Sequence, residues 1–113
     1  MKVSEYHKQG LKNYVEEKPE GFTSLGTAKE GAHRVEIFIT AENGKIVDAR
    51  FSSSKRCKKL MAIADVVTEK LKGQKVDSIK IDPEEILQFF KEEKEQDKMR
   101  NRLSIVLKAL GKQ

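Results

Sequence analysis

The sequence predicts an α+β domain, a small three-stranded antiparallel sheet with helices packed on one face. Apolar and polar residues alternate on both sides of Asn43-Gly44, as in a hairpin, and give way after Phe51 to helix-period stripes. The elements are also segregated along the chain, one helix, then three strands, then several helices, an order that favours α+β over alternating βαβ units.

Val3, Tyr6, Leu11 and Tyr14 fall near one side of a helix predicted over residues 3–15, weakened by Gly10 and ended by Lys18-Pro19-Glu20-Gly21. His7 lies beside that stripe and reads as a surface or boundary residue. Phe22 to Ala28, rich in small residues, reads as an edge strand. His33 stands at the mouth of the next strand, where it is either a ligand or simply a strand-end residue.

The central hairpin alternates Val35, Ile37 and Ile39 against Glu36, Phe38 and Thr40. A loop of Asn43-Gly44 alone would oppose Ile39 to Asp48 and Ile37 to Arg50, setting charges into the apolar face. A three-residue loop, Glu42-Asn43-Gly44, instead opposes Ile39 to Val47, Ile37 to Ala49 and Val35 to Phe51, and places Glu36 across from Arg50. The three-residue loop is the expectation.

Ser52 to Arg56 breaks the alternation, and from Cys57 the spacing turns helical. Cys57, Leu60, Ala64, Val67 and Leu71 share a stripe widened by Met61 and Ile63, and Lys70, Lys72 and Gly73 are stop signals. Val76 to Ile79 reads as a linker pinned by its apolar residues. Asp82-Pro83-Glu84-Glu85 starts a helix with an N-cap, a proline at its first position and a capping-box glutamate. Ile86, Leu87, Phe89 and Phe90 are its expected buried side. The charged run Lys91 to Lys98 is either an exposed helical turn or a break before a final helix carrying Met99, Leu103, Val106, Leu107 and Leu110, closed by Gly111.

The 113 residues suit one domain, 1–113, and the 36% of charged residues with no tryptophan suggests a soluble protein with a small core. No apolar run approaches a membrane span of about 20 residues, and Met1-Lys2-Val3-Ser4 does not begin a signal peptide. A single cysteine forms no internal disulfide, so a cytoplasmic protein is expected. The formal charge of +5 allows an acidic partner, but the basic residues are spread among glutamates without interleaved aromatics, so nucleic acid is not expected. No Walker, dinucleotide or hydrolase motif is present, and no acid–base pair can be placed by spacing, so an autonomous enzyme is not expected either.

Cys57 is the chemical candidate. Lys55, Arg56, Lys58 and Lys59 crowd the start of its helix, where the macrodipole prefers negative charge. A thiol at a helix N-terminus among cations is where thiolate character is expected; the alternative is a small apolar residue beside a solvated charged face.

Asn43-Gly44-Lys45-Ile46-Val47-Asp48-Ala49-Arg50-Phe51, then Cys57, then Val66-Val67-Thr68-Glu69-Lys70-Leu71-Lys72-Gly73 resembles the iron–sulfur cluster scaffold family of IscU, SufU and the NifU N-terminal domain. The family shares an "NGxIxDARF" hairpin, a "GC" helix start and a "VTExxKG" helix end in this order, and the likeness covers most of the chain. It implies a scaffold fold and a site of three cysteines assisted by an aspartate, thiolates being the soft ligands such clusters need. Cys57 matches the second cysteine. Glu30-Gly31-Ala32 stands where the first cysteine and the aspartate belong, and Arg100 or Asn101 where the third does. The "LPPVK" stretch of IscU-type members has no counterpart before Met99.

A degenerate member lacking two of the three ligand cysteines is therefore implied. Its expected role lies in iron–sulfur cluster assembly or sulfur transfer, with Cys57 accepting a persulfide from a cysteine desulfurase-like donor and Lys55, Arg56, Lys58 and Lys59 stabilising the thiolate. No cofactor is certain; an iron–sulfur cluster would need further ligands, as in a homo-oligomer with each chain donating Cys57, and Glu30, His33 and Cys57 are the residues that could hold zinc or iron. The alternative is a non-catalytic binding or regulatory module built on the scaffold fold.

Overall fold

A computed structural model describes residues 1–111, and its order of elements is α1 (Val3–Lys8), β1 (Thr23–Glu30), β2 (His33–Glu42), β3 (Lys45–Ser53), α2 (Lys58–Leu71), a 3-10 turn (Val76–Ser78), α3 (Pro83–Phe89) and α4 (Gln96–Ala109). The sheet is antiparallel in the order β1-β2-β3, as expected. Helix α2 lies over β3, α4 lies over β1, and the two pack on each other. Val35, Ile37 and Ile39 of β2 meet Leu60, Ile63 and Val67 of α2 and Leu103 and Val106 of α4 in the core.

The hairpin differs from the expected three-residue loop. Glu42 pairs with Lys45, so the turn is the dipeptide Asn43-Gly44, both residues at positive φ (52° and 78°). Val47 then has no cross-strand partner: Ala41 pairs with Ile46 and Thr40 with Asp48. This bulge shifts the register by one residue and sets Ala49 opposite Ile39 and Phe51 opposite Ile37. The apolar face is restored with Ile46, Ala49 and Phe51 buried, and Val47 is left 53% exposed. Glu36 does not face Arg50; it pairs with Ser52 and accepts from Ser24 Oγ at 2.7 Å.

The first helix is shorter than its stripe suggested. It ends at Lys8, and Gly10 at φ 88° turns the chain away. Residues 13–15 run instead beside β3, where Phe51 donates to the Asn13 carbonyl at 2.9 Å and Val15 to the Phe51 carbonyl at 2.8 Å. Residues after α2 cover the other half of the same edge, with Ile46 donating to Gln74 O and Val76 to Gly44 O. Both stretches protect a strand that would otherwise be an open pairing edge.

This N-terminal segment is fastened by a buried polar network. Asp65, in the middle of α2, is fully buried, and its carboxylate accepts from Tyr6 Oη at 2.5 Å and from the amides of Asn13 at 2.8 Å and Lys12 at 3.0 Å. Burial, and then the Asp65 carboxylate, raise the Tyr6 phenol above its ordinary range. Buried Asn13 donates to Thr68 Oγ1 and accepts from Lys72 Nζ and Arg50 Nη1. Arg50 also bonds Asp48 at 2.6 Å, and Lys72 bonds Glu69 at 2.8 Å.

The charged run is a break: α3 ends at Phe89 and α4 begins at Gln96. Asp82 caps α3 by accepting from the Glu84 amide at 3.0 Å. Phe89 is 42% exposed rather than buried, while Ile86, Leu87 and Phe90 enter the core.

Candidate functional site

Cys57 is the N-cap residue of α2, half-buried, with its side chain making no cap bond. The first turn of the helix carries no acidic residue. Where a Ser or Asp would close the helix end on its own amides, the thiol turns toward α4. There Arg102 Nε donates to Cys57 Sγ at 3.3 Å, and Arg102 Nη1 is steadied by Asn101 Oδ1 at 2.8 Å.

Two hollows adjoin the sulfur. The smaller, about 230 Å³, is lined by His33, Arg56 and Arg102 together with Cys57. The larger, about 470 Å³, opens past Lys58, Lys59, Glu93 and Glu95. A third hollow of about 420 Å³, lined by Tyr6, Val66 and Phe89 among others, lies along α2 and does not reach Cys57.

The four cations expected around the thiol divide into two pairs. Lys55 points to Glu16 at 2.7 Å and Lys59 to Glu93 at 2.6 Å, so both are neutralised. Burial works to raise the Glu93 carboxyl, but Lys59 and the amide of Val3 outweigh it and hold the group below the usual carboxylate range. Arg56 and Lys58 have no carboxylate in ion-pair reach among the described residues, and both line the space beside Cys57. His7, the other histidine, is tied to the backbone of the same turn, its Nε2 donating to Lys58 O at 2.9 Å.

The expected metal set does not assemble. Glu30 accepts from Asn101 Nδ2 at 2.9 Å and pairs with Lys108 at 3.5 Å, and the Asn101 bond leads in holding its carboxyl below the ordinary value. His33 and Cys57 share the smaller hollow, but among the described residues no group of three or more His, Cys, Asp and Glu side chains can hold a metal ion. With a guanidinium on the lone thiol as well, this donor set does not fit zinc or a cluster.

Arg102 is the residue beside Cys57 that sequence reasoning missed. The resemblance placed the third cysteine at Arg100 or Asn101, yet Arg100 reaches Glu84 at 3.3 Å and Asn101 reaches Glu30. The helical period held the signal: Arg102 stands three residues after Met99 and one before Leu103, both buried, and so at the rim of the stripe α4 turns inward.

The model of the NifU-like N-terminal domain matches residues 6–110. The chain belongs to the NifU-like N-terminal domain family. Two solved structures of similar fold accord with that membership. One is a proposed iron–sulfur cluster assembly scaffold protein for the SUF system from the thermophile Fervidobacterium islandicum AW-1, at TM-score 0.62 and 15% identity, covering 96% of this chain and 90% of that one. The other is a nitrogen-fixing NifU-like protein, N-terminal part, from Brucella abortus, at TM-score 0.63 and 11% identity, covering 96% and 85%. At such identities these two likenesses establish the fold alone. No curated protein matches the chain. This NifU-like domain has one cysteine, and among its described residues no helix is long and apolar enough to cross a membrane.

Proposed function

We propose that this NifU-like domain serves iron–sulfur cluster assembly as a carrier of sulfur rather than as a conventional cluster scaffold. Cys57 accepts one sulfur atom from a protein persulfide presented by a cysteine desulfurase-like donor. Its thiolate attacks the outer sulfur of the donor persulfide; a new Sγ–S bond forms, the donor S–S bond breaks, and the donor cysteine leaves as thiolate. The observation that carries the proposal is the Arg102 Nε to Cys57 Sγ contact at 3.3 Å, which gives the sulfur a cationic partner in place of a metal. A cluster wants about four ligands, and one thiolate beside a guanidinium does not supply them.

The test is transfer from a persulfide-loaded cysteine desulfurase, followed by mass spectrometry of the intact chain. A gain of one sulfur atom, absent in Cys57→Ser, is expected; no gain would dismiss the carrier. The second reading, a binding module without chemistry, is favoured by half-exposed Phe89 on the hollow with Tyr6 and Val66. Under it, Phe89→Ala weakens capture of assembly partners and Cys57→Ser does not.

A further inference from the structure

The smaller hollow beside Cys57 has a chemistry of its own. It is lined by Ala32, His33, Ser54, Arg56, Cys57 and Arg102, and no carboxylate is among them. Nearby Lys55, Lys59, Lys98 and Arg100 are all paired with glutamates. Arg56 and Arg102 are not, so two arginines, Arg56 exposed and Arg102 half-buried, line one hollow without a carboxylate in ion-pair reach among the described residues. Arg102 commits Nε to Cys57 and Nη1 to Asn101, which leaves its Nη2 donors uncommitted among those residues.

Such an arrangement is relieved by an anion, and a guanidinium fork matches the oxygens of a planar or tetrahedral oxyanion. The volume, about 230 Å³, is below the ~300–1,000 Å³ of pockets for drug-sized ligands. It fits an anion of few atoms, and a nucleophilic sulfur stands on its wall.

We propose that this hollow binds a small sulfur oxyanion bearing a sulfane sulfur, thiosulfate being the simplest of the class, and that Cys57 takes the sulfane sulfur from it. The proposal rests on Cys57 as a sulfur carrier and adds a donor that needs no protein. Arg56 and Arg102 hold the oxygens, and the outer sulfur faces Sγ. After the thiol proton has passed to solvent, the thiolate attacks that outer sulfur. The Sγ–S bond forms, the S–S bond of thiosulfate breaks, and its electron pair leaves with sulfite. Thiolate and thiosulfate dianion become persulfide anion and sulfite dianion, so charge and atoms balance and no outside oxidant or reductant takes part.

The test uses the intact chain, in which one cysteine makes a mass gain unambiguous. The protein is incubated with thiosulfate while sulfite oxidase draws off and counts the sulfite, with and without added sulfate; inorganic polysulfide serves as the comparison donor. The expected result is one sulfur gained per chain, an equal amount of sulfite, and slower loading in sulfate. Arg102→Gln and Arg56→Gln each lower the rate of thiosulfate loading about tenfold, the loss expected for one charge-assisted hydrogen bond. Lys70→Gln, at a side chain bound to Glu85 near the opposite end of α2, leaves the rate unchanged. Sulfur gained from polysulfide but none from thiosulfate, or thiosulfate loading indifferent to sulfate, overturns the oxyanion site and leaves the carrier standing. Gain from neither donor overturns both.

Discussion

Arg102 on α4 and Cys57 at the N-cap of α2 meet through an Nε to Sγ hydrogen bond of 3.3 Å, so a guanidinium and the chain's one thiol form a single unit. The pair spans two helices that pack on each other over the sheet. Cations that flank Cys57 in sequence are less committed to it: Lys55 and Lys59 turn to glutamates.

The Arg102 Nε donor lies directly on the sulfur that attacks electrophiles, and a hydrogen bond from a charged donor is among the stronger kinds. Removing that donor is therefore expected to change the rate at which Cys57 reacts with iodoacetamide, several-fold in Arg102→Leu against the wild type at one pH. Equal rates for the wild type and Arg102→Leu would show that the contact does not influence the sulfur.

Asp65 is expected to be the polar residue on which stability depends most. Its carboxylate receives Tyr6 Oη and two amides, and an asparagine there turns a donor toward donors. Asp65→Asn should cost about 2–4 kcal/mol, from several charge-assisted hydrogen bonds lost in a buried site. Urea unfolding measures this; a loss within experimental error would mean that the network is not formed in solution.

The hairpin register gives a paired prediction. Val47 is the exposed bulge residue and Ile46 is 1% exposed. Val47→Thr should change stability by no more than about 0.5 kcal/mol, whereas Ile46→Ala should cost about 2–5 kcal/mol. A large effect at Val47 would restore the three-residue loop that buries it against Ile39.

These particulars show what was legible in the sequence. The strands, the long helices and the α+β layout follow from periodicity. The bulge does not, because a two-residue turn followed by one unpaired residue buries Ala49 and Phe51 just as the longer loop would, and the two differ in register and in burying Ile46 rather than Val47. The segments that carry the resemblance converge in the structure: Asp48 and Arg50 of the hairpin meet Glu69 and Lys72 of the helix end around buried Asn13. That meeting braces the fold at the C-terminal end of α2. Cys57 lies at the other end of this 14-residue helix, about 20 Å away at 1.5 Å per residue. Motif likeness thus identified the scaffold more readily than the site, and Arg102, from a helix far along the chain, carried no local signal beyond its place at the rim of an apolar stripe.

Acid should weaken the contact between α1, α2 and the segment before α4. Glu93 accepts from Lys59 and from the Val3 amide, and its carboxyl is held below the ordinary value. Its contribution is complete above the unfolded glutamate value of about 4.3 and is lost as pH falls through the lower folded value. Stability should therefore decline on acidification below about pH 4, and Glu93→Gln should make that decline shallower. An unchanged slope would show that the pair contributes nothing to the folded state.

The central claim is that the family fold is kept here around a thiol paired with arginine instead of a cluster. Anaerobic incubation with iron and sulfide, followed by visible absorption and metal analysis of wild type, Cys57→Ser and Arg102→Cys, tests it most directly. The account predicts no bound iron and no sulfide-dependent absorption in the wild type or in Cys57→Ser. A cluster in the wild type that disappears in Cys57→Ser would contradict it, and a cluster in Arg102→Cys alone would show that the arginine is what separates this chain from cluster binding.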